Sequence, residues 1–342
     1  MEISAGKLWC FRRLADKNGL FKMTAVDQRP PIMNVIKEKL KVDEASYEDI
    51  SRIKTLLTKT LAQHSSAMLL DPIWAYSDAI EHVEPSQGLL ITLEAHDFEE
   101  APGGRKSSEI ADWNVEKIKR LGADGVKVLA WYRPDADPAI CQYQQDMVEA
   151  IGKACQKHDI CFLFELLVYP LEGDAHQTKE YVETQSKRPE LVIDSVKAFS
   201  DSKFGIDIFK LESPIPASEV PDPNSKEAAE CQEWFNQLGQ ACDVPWVMLS
   251  AGADMDAFEK VLTYAYQAGA SGYLAGRAIW WKAAQNFPDL QKMEAELNEE
   301  GVAYIKKIGQ LTDTRATPWF KHKQFAQGYQ ITGAGQNFPA NY

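Results

Sequence analysis

Eight short β-forming runs alternate with amphipathic helical stretches along most of this 342-residue chain, and that alternation constrains the fold more than any other feature. The runs are Leu20–Asp27, Ala67–Asp71, Leu89–Glu94, Gly125–Trp131, Cys161–Val168, Ile206–Glu212, Trp246–Ser250 and Gly272–Ala275. Several are apolar almost throughout, as parallel strands covered by helices should be. The intervening patterns predict helices over Tyr47–Gln63, Ser108–Leu121, Pro138–Lys157, Pro189–Asp201, Ser225–Cys242 and Asp254–Ala268. Eight such units in this length predict an α/β chain folded as a (β/α)8 TIM barrel over about residues 20–285. A doubly wound open sheet would carry a Gly-rich turn after the first strand, and none is present.

An extra helix is expected within residues 1–19, with Trp9, Phe11 and Leu14 on one side and Arg12-Arg13 on a solvated face. Beyond residue 285 the pattern is helical over Leu290–Ile308, then Pro- and aromatic-rich through Tyr342. No repeat, linker or low-complexity segment divides the chain, so 1–342 is read as a single domain with terminal extensions 1–19 and 286–342.

The formal net charge of -13 argues against nucleic acid as a routine partner, although a local cationic pocket for a small anion remains compatible with it. No run of about 18 apolar residues predicts a membrane span, and the first residues lack the apolar core of a signal peptide. The six cysteines form no CxxC pair, which fits reduced thiols and a cytoplasmic location.

Two lysines lie where a strand would bury them. Lys127 sits in Gly125-Val126-Lys127-Val128-Leu129-Ala130, and Lys210 in Ile206-Asp207-Ile208-Phe209-Lys210-Leu211-Glu212. A buried ammonium is costly unless it is paired or gives up its proton. Desolvation or a second cation lowers its pKa and makes the amine a nucleophile. A third run carries Glu165, so a Schiff-base enzyme is suggested. Strand alternation puts Lys210 and Glu212 on one face, with Glu212 nearer the mouth and able to pair with either lysine.

Barrel chemistry collects at strand C-termini. Those ends carry Asp27-Gln28-Arg29, Asp71, Glu94, Lys127, Glu165, Lys210 with Glu212, Ser250-Ala251-Gly252 and Gly276-Arg277. The last two clusters combine small residues, backbone N–H groups and one fork-shaped cation. Their placement after the seventh and eighth strands predicts a phosphate site.

These segments resemble the class I tagatose-1,6-bisphosphate aldolases and their relatives, the sulfofructosephosphate aldolases. The resemblance rests on Ala25-Val26-Asp27-Gln28-Arg29, Ser66-Ala67-Met68-Leu69-Leu70-Asp71, Gly122-Ala123-Asp124-Gly125-Val126-Lys127, Phe164-Glu165, Phe209-Lys210-Leu211-Glu212, Leu249-Ser250-Ala251-Gly252 and Ala275-Gly276-Arg277-Ala278. It implies that Lys210 forms an imine with the ketose C2, that Glu165 shuttles protons and that Lys127 tunes the pair. It further implies that Asp27 contacts hydroxyls around the cleaved bond. Ser250, Ala251, Gly252, Gly276 and Arg277 would hold the C1 phosphate, with Gln28 and Arg29 candidates for the distal anion. No metal or cofactor is implied, and a homo-oligomer is expected. Trp131-Tyr132-Arg133 is similar to the sulfosugar branch, and Trp280-Trp281 could reshape the rim. The reading leaves open which ketose is cleaved, and whether its distal anion is phosphate or sulfonate.

Two other classes compete. A metal-dependent aldolase or epimerase would need clustered ligands, yet of His64, His82, His96, His158, His176 and His322 only His96 follows a strand closely. A sugar-phosphate sensor would not need the nucleophile-and-acid set of Lys210, Glu165 and Lys127.

Overall fold

The computed structural model describes residues 1–171 and 189–342, so His176 lies outside the described residues. Eight parallel strands close into a barrel: β1 (Phe21–Ala25), β2 (Ala67–Leu70), β3 (Gly88–Thr92), β4 (Gly125–Trp131), β5 (Cys161–Leu167), β6 (Ile208–Leu211), β7 (Trp246–Met248) and β8 (Gly272–Ala275). Each strand pairs with its sequence neighbour, and β8 returns to pair with β1. All eight expected runs are strands. The residues at their expected ends, such as Asp27 and Glu94, lie just beyond the ladder, where the chain turns toward its helix.

Register fixes which side chains share the interior. On adjacent strands Leu90 pairs with Gly125, Lys127 with Leu163, Glu165 with Lys210 and Val247 with Lys210. Paired positions point the same way, so Thr92, Lys127, Glu165 and Lys210 all face inward. The outward set, including Phe162, Phe164 and Phe209, packs under the helices and is fully or almost fully buried. That layer supplies most of the hydrophobic stabilisation, at about 1.5–3 kcal/mol for each large apolar side chain.

The helix Pro138–Lys157 matches its predicted span, while the expected Ser108–Leu121 shortens to Val115–Arg120. Asn114 caps that helix by accepting the Lys117 N–H. Ahead of it a two-stranded hairpin, Glu99–Ala101 with Gly104–Lys106, has no counterpart in the sequence reading. A helix over Pro30–Leu40 is also additional.

The N-terminal helix, Ala5–Leu14, lies against the starts of β3 and β5. Phe11 and Leu14 are buried, but Trp9 is 59% exposed, because a position two residues from Phe11 falls on another side of a 3.6-residue helix. Arg13 is likewise not on a solvated face: it donates to the Pro85 carbonyl at 2.7 Å and to Asp124 at 3.3 Å. The chain's two ends meet in a short parallel pairing of Glu2–Ile3 with Gln330–Ile331.

Candidate active site

The mouth of the barrel holds a cavity lined by Asp27, Gln28, Arg29, Lys127, Glu165, Lys210, Glu212, Ser250, Ala251, Gly276 and Arg277, together with Leu129, Trp131, Leu167, Val168, Leu249 and Leu274. The lining therefore includes every residue expected at the site except Gly252, which faces the adjoining groove beside Arg277.

Glu165 stands between the two lysines. As register partners on neighbouring strands, Glu165 and Lys210 point side by side, and their Oε2 and Nζ atoms lie 2.9 Å apart. Lys127 starts one inward step lower, since the residue opposite Glu165 on β4 is Leu129. Its four-carbon stem brings Nζ up to 2.8 Å from the same Glu165 oxygen. Asp27 Oδ2 at 2.9 Å and Glu94 Oε1 at 2.7 Å complete a ring of three carboxylates around Lys127.

This ring decides the charge of Lys127. Burial alone would push the ammonium toward neutrality, but Asp27, Glu165 and Glu94 outweigh it and hold its pKa well above the ordinary lysine value. For Asp27 burial works toward protonation, yet Lys127, Lys210 and Arg29 hold the carboxyl well below the usual carboxylate range. Burial lifts Glu94 above its ordinary value, against the pull of Lys127 and Arg29. Lys127 is thus the fixed cation, and among the described residues Lys210 has a single carboxylate, which it must share.

Two expectations need correction. Glu212 does not pair with either lysine; it accepts the Val168 N–H at 2.7 Å, because the strand end directs it toward the β5 terminus. Gln28 is not at the end of the cavity distant from the phosphate cluster. β8 closes onto β1, so the Gln28 amide nitrogen would lie 2.8 Å from a Cβ placed on Gly276. The Arg29 guanidinium instead donates to the Glu94 carbonyl at 3.0 Å and to its carboxylate at 3.2 Å.

Ser250, Ala251 and Gly252 turn the chain sharply after β7, with Ala251 and Gly252 at positive φ of 47° and 85°. A Cβ on Gly252 would come 3.1 Å from the Arg277 guanidinium, so glycine here serves both the turn and the approach. Gly276 caps the helix Arg277–Ala284, whose first N–H groups are unpaired within it. Together these residues form a concave, cationic corner suited to a phosphate.

Of the bulky pair that follows, Trp280 is fully buried and donates to the Ala25 carbonyl at 2.9 Å, anchoring β1 rather than shaping the rim. Trp281 borders the adjoining groove. Across the barrel, Trp131 forms a cavity wall, backed by Arg105, whose guanidinium lies 5.0 Å from the Trp131 ring and 4.2 Å from that of Phe98. Arg133 is engaged elsewhere, by Asp135 and the Tyr169 carbonyl.

Three groups escaped the sequence reading. Glu94 was visible as a strand-end carboxylate but not as the third ligand of Lys127. Thr92 faces the same cluster, its hydroxyl 3.5 Å from Asp27. Lys54, on the helix Tyr47–Leu61, is fully buried and pairs with Asp71. Asp71 is therefore a structural partner and does not line the cavity. His96 packs edge-on against Trp74 and does not line it either. Among the described residues, no group of three or more His, Cys, Asp or Glu side chains is placed to hold a metal ion, and no helix is long and apolar enough to cross a membrane.

A closed eight-stranded barrel with a lysine–carboxylate cluster at its C-terminal mouth defines a class of enzyme, and comparisons agree. Residues 22–282 match the model of the DeoC/LacD family aldolases. The chain is 30% identical over 329 residues to tagatose 1,6-diphosphate aldolase 1 of Streptococcus mutans, covering 93% of this chain and 99% of that protein. It is also 30% identical over 336 residues to tagatose 1,6-diphosphate aldolase 2 of Enterococcus faecalis, covering 96% and 100%. Among solved structures, a fructose-bisphosphate aldolase from Plasmodium falciparum shares the fold, with a TM-score of 0.63 at 11% identity, over 90% of this chain and 96% of that one. An archaeal fructose 1,6-bisphosphate aldolase matches with a TM-score of 0.51 at 17% identity, over 87% and 99%. The chain belongs to the DeoC/LacD aldolase family and is a carbon–carbon lyase.

Proposed function

We propose that this protein is a class I aldolase that reversibly cleaves a ketose 1,6-bisphosphate such as tagatose 1,6-bisphosphate, through an imine on Lys210, to dihydroxyacetone phosphate and glyceraldehyde 3-phosphate. The observation that carries this reading is the shared carboxylate: Glu165 Oε2 lies within 2.9 Å of both Lys210 and the fixed cation Lys127. Such an arrangement lets Glu165 accept a proton from the Lys210 ammonium while Lys127 steadies its charge.

With the C1 phosphate in the Ser250–Gly252 and Arg277 corner, the ketose C2 comes to Lys210. The amine adds to C2 as Glu165 returns the ammonium proton to the carbonyl oxygen, and the second proton that the nitrogen sheds passes back to Glu165. Glu165 then protonates the departing carbinolamine hydroxyl, which leaves as water and forms the protonated imine. That imine is the electron sink. The C4 hydroxyl gives its proton to the Glu165 carboxylate, the C3–C4 pair flows toward the imine nitrogen, and the aldehyde product departs from an enamine. Glu165 returns that proton to C3, and hydrolysis of the imine releases dihydroxyacetone phosphate and restores Lys210.

Lys127, Lys210 and Arg29 favour the ionised form of Asp27, which offers its carboxylate as an acceptor. Its Oδ1 is buried with no hydrogen-bond partner among the described residues, as is Gln28 Oε1. Buried acceptors of this kind are costly unless something donates to them, and a polyhydroxylated substrate does. The apolar wall of Leu129, Leu167, Leu249 and Leu274 excludes water around the imine.

The test is reductive trapping. Borohydride with dihydroxyacetone phosphate should leave a covalent adduct on Lys210; an adduct on another lysine, or none, overturns the assignment. A panel of tagatose, fructose, sorbose and psicose bisphosphates, with the 6-sulfonate analogue, then ranks substrates by kcat/KM. Cleavage should survive EDTA.

A further inference from the structure

Lys54 is a buried cation that the chemistry above does not use. It projects from the helix Tyr47–Leu61 and is entirely removed from solvent, as is its counterion Asp71. Asp71 is itself pinned, its Oδ1 accepting the N–H groups of Ile73 at 3.0 Å and Trp74 at 2.7 Å. A buried ion pair is a poor source of stability, since apolar residues of equal volume serve as well or better. Its retention calls for another explanation, and a second donor of Lys54 supplies one.

That donor reaches the Val26 carbonyl at 2.8 Å. The β1 ladder ends at Ala25, so Val26 and Asp27 lie where the strand begins to lose its regular partners. The Val26 N–H is still held by the Leu69 carbonyl at 2.9 Å, and the Ala25 carbonyl by Trp280 at 2.9 Å. The Val26 carbonyl belongs to the peptide that leads into Asp27, and Lys54 is what holds it.

We propose that Lys54, clamped by Asp71, is a positioning residue for Asp27: it fixes the Val26–Asp27 peptide so that the Asp27 carboxylate meets both Lys127 and the substrate hydroxyl. This rests on the function proposed above. The prediction concerns the bond-breaking step rather than imine formation, because Lys210 stands on β6, with β7 and β8 between it and β1, whose end the clamp holds.

The experiment is a mutant cycle. Lys54→Met combined with Asp71→Asn removes both charges together and keeps an oxygen for the Ile73 and Trp74 N–H groups, which protects the fold. Cleavage of the ketose bisphosphate should slow about 10–100-fold, the scale of a misplaced catalytic group. Borohydride trapping of dihydroxyacetone phosphate on Lys210 should stay near the wild-type rate. Adding the pair to Asp27→Asn should cause no further loss, because the clamp acts through Asp27. Full additivity with Asp27→Asn, wild-type cleavage by the paired variant, or equal loss of trapping and cleavage each overturns the proposal. Wild-type enzyme that traps no adduct would overturn the imine reading and the positioning role with it. Wild-type trapping combined with additivity overturns the positioning role alone.

Discussion

The two ends of the barrel use their carboxylates in opposite ways. At the N-terminal end each acid is closed by the protein. Asp207 accepts the Phe162 N–H at 2.8 Å and Lys7 at 2.9 Å; Asp124 accepts the Leu89 N–H at 2.9 Å and Arg13 at 3.3 Å. Asp159 takes the N–H groups of Gly6 and Lys7 and the hydroxyls of Ser4 and Tyr342. Behind them Phe11, Trp319 and Phe325 pack into an aromatic plug, with ring centroids 4.9–5.6 Å apart. At the C-terminal end Asp27, Glu94 and Glu165 crowd one ammonium, while Asp27 Oδ1 and Glu94 Oε2 stay buried with no partner among the described residues. The first arrangement maximises satisfied hydrogen bonds and therefore stability. The second holds polar capacity in reserve, and such reserve is worth keeping only where a ligand completes it.

The contrast predicts that substitutions at the mouth change catalysis and those at the base change stability. The largest effect is expected for Lys210→Met, which should lower kcat by roughly 10⁵-fold or more, as loss of a covalent nucleophile does, with the fold intact. Retained cleavage in that variant would break the comparison at its centre. Next is Arg277→Met, expected to lower kcat/KM about 10–100-fold by removing charge-assisted hydrogen bonds to phosphate. Steady-state kinetics should show the loss mainly in KM.

At the base, Lys7→Met strips the counterion from the nearly buried Asp207. We expect about 1–3 kcal/mol of lost stability, between the exposed and fully buried extremes for ion pairs, with kcat unchanged. Denaturant unfolding and turnover measured together check it, and a fall in kcat would show that the two ends are coupled.

The smallest effect is a pH dependence. The folded-state pKa of Asp27 is depressed, so its stabilising contribution is complete above the unfolded value of about 3.9 and fades as pH falls toward the folded one. The Tm difference between wild type and Asp27→Asn should therefore be constant above about pH 5 and shrink toward pH 3. An offset that ignores pH would mean the ring around Lys127 does not favour the ionised Asp27.

The three buried lysines among the described residues show how far local pattern reaches. Lys127 and Lys210 stood out because each interrupts an apolar strand, and period-two alternation put Lys210 on an inward face. Lys54 did not stand out, since lysine on a helix ordinarily reaches solvent. Burial pushes its pKa down despite Asp71, whereas three carboxylates carry that of Lys127 up. Counterion number, a property of assembled neighbours, decides between these outcomes.

By itself the sequence determined the number and order of the strands, the barrel they build, and the polar residues at their C-terminal ends. All of these follow from patterns within a dozen residues: apolar runs, helical periodicity and small residues at turns. Only the tertiary structure decided that Glu165 serves both lysines, that Glu94 joins them, that Glu212 turns to Val168 and that Gln28 sits beside Gly276. Those pairings depend on the stagger between neighbouring strands and on β8 closing against β1. Both are set by packing around the whole barrel, and no single segment carries that information.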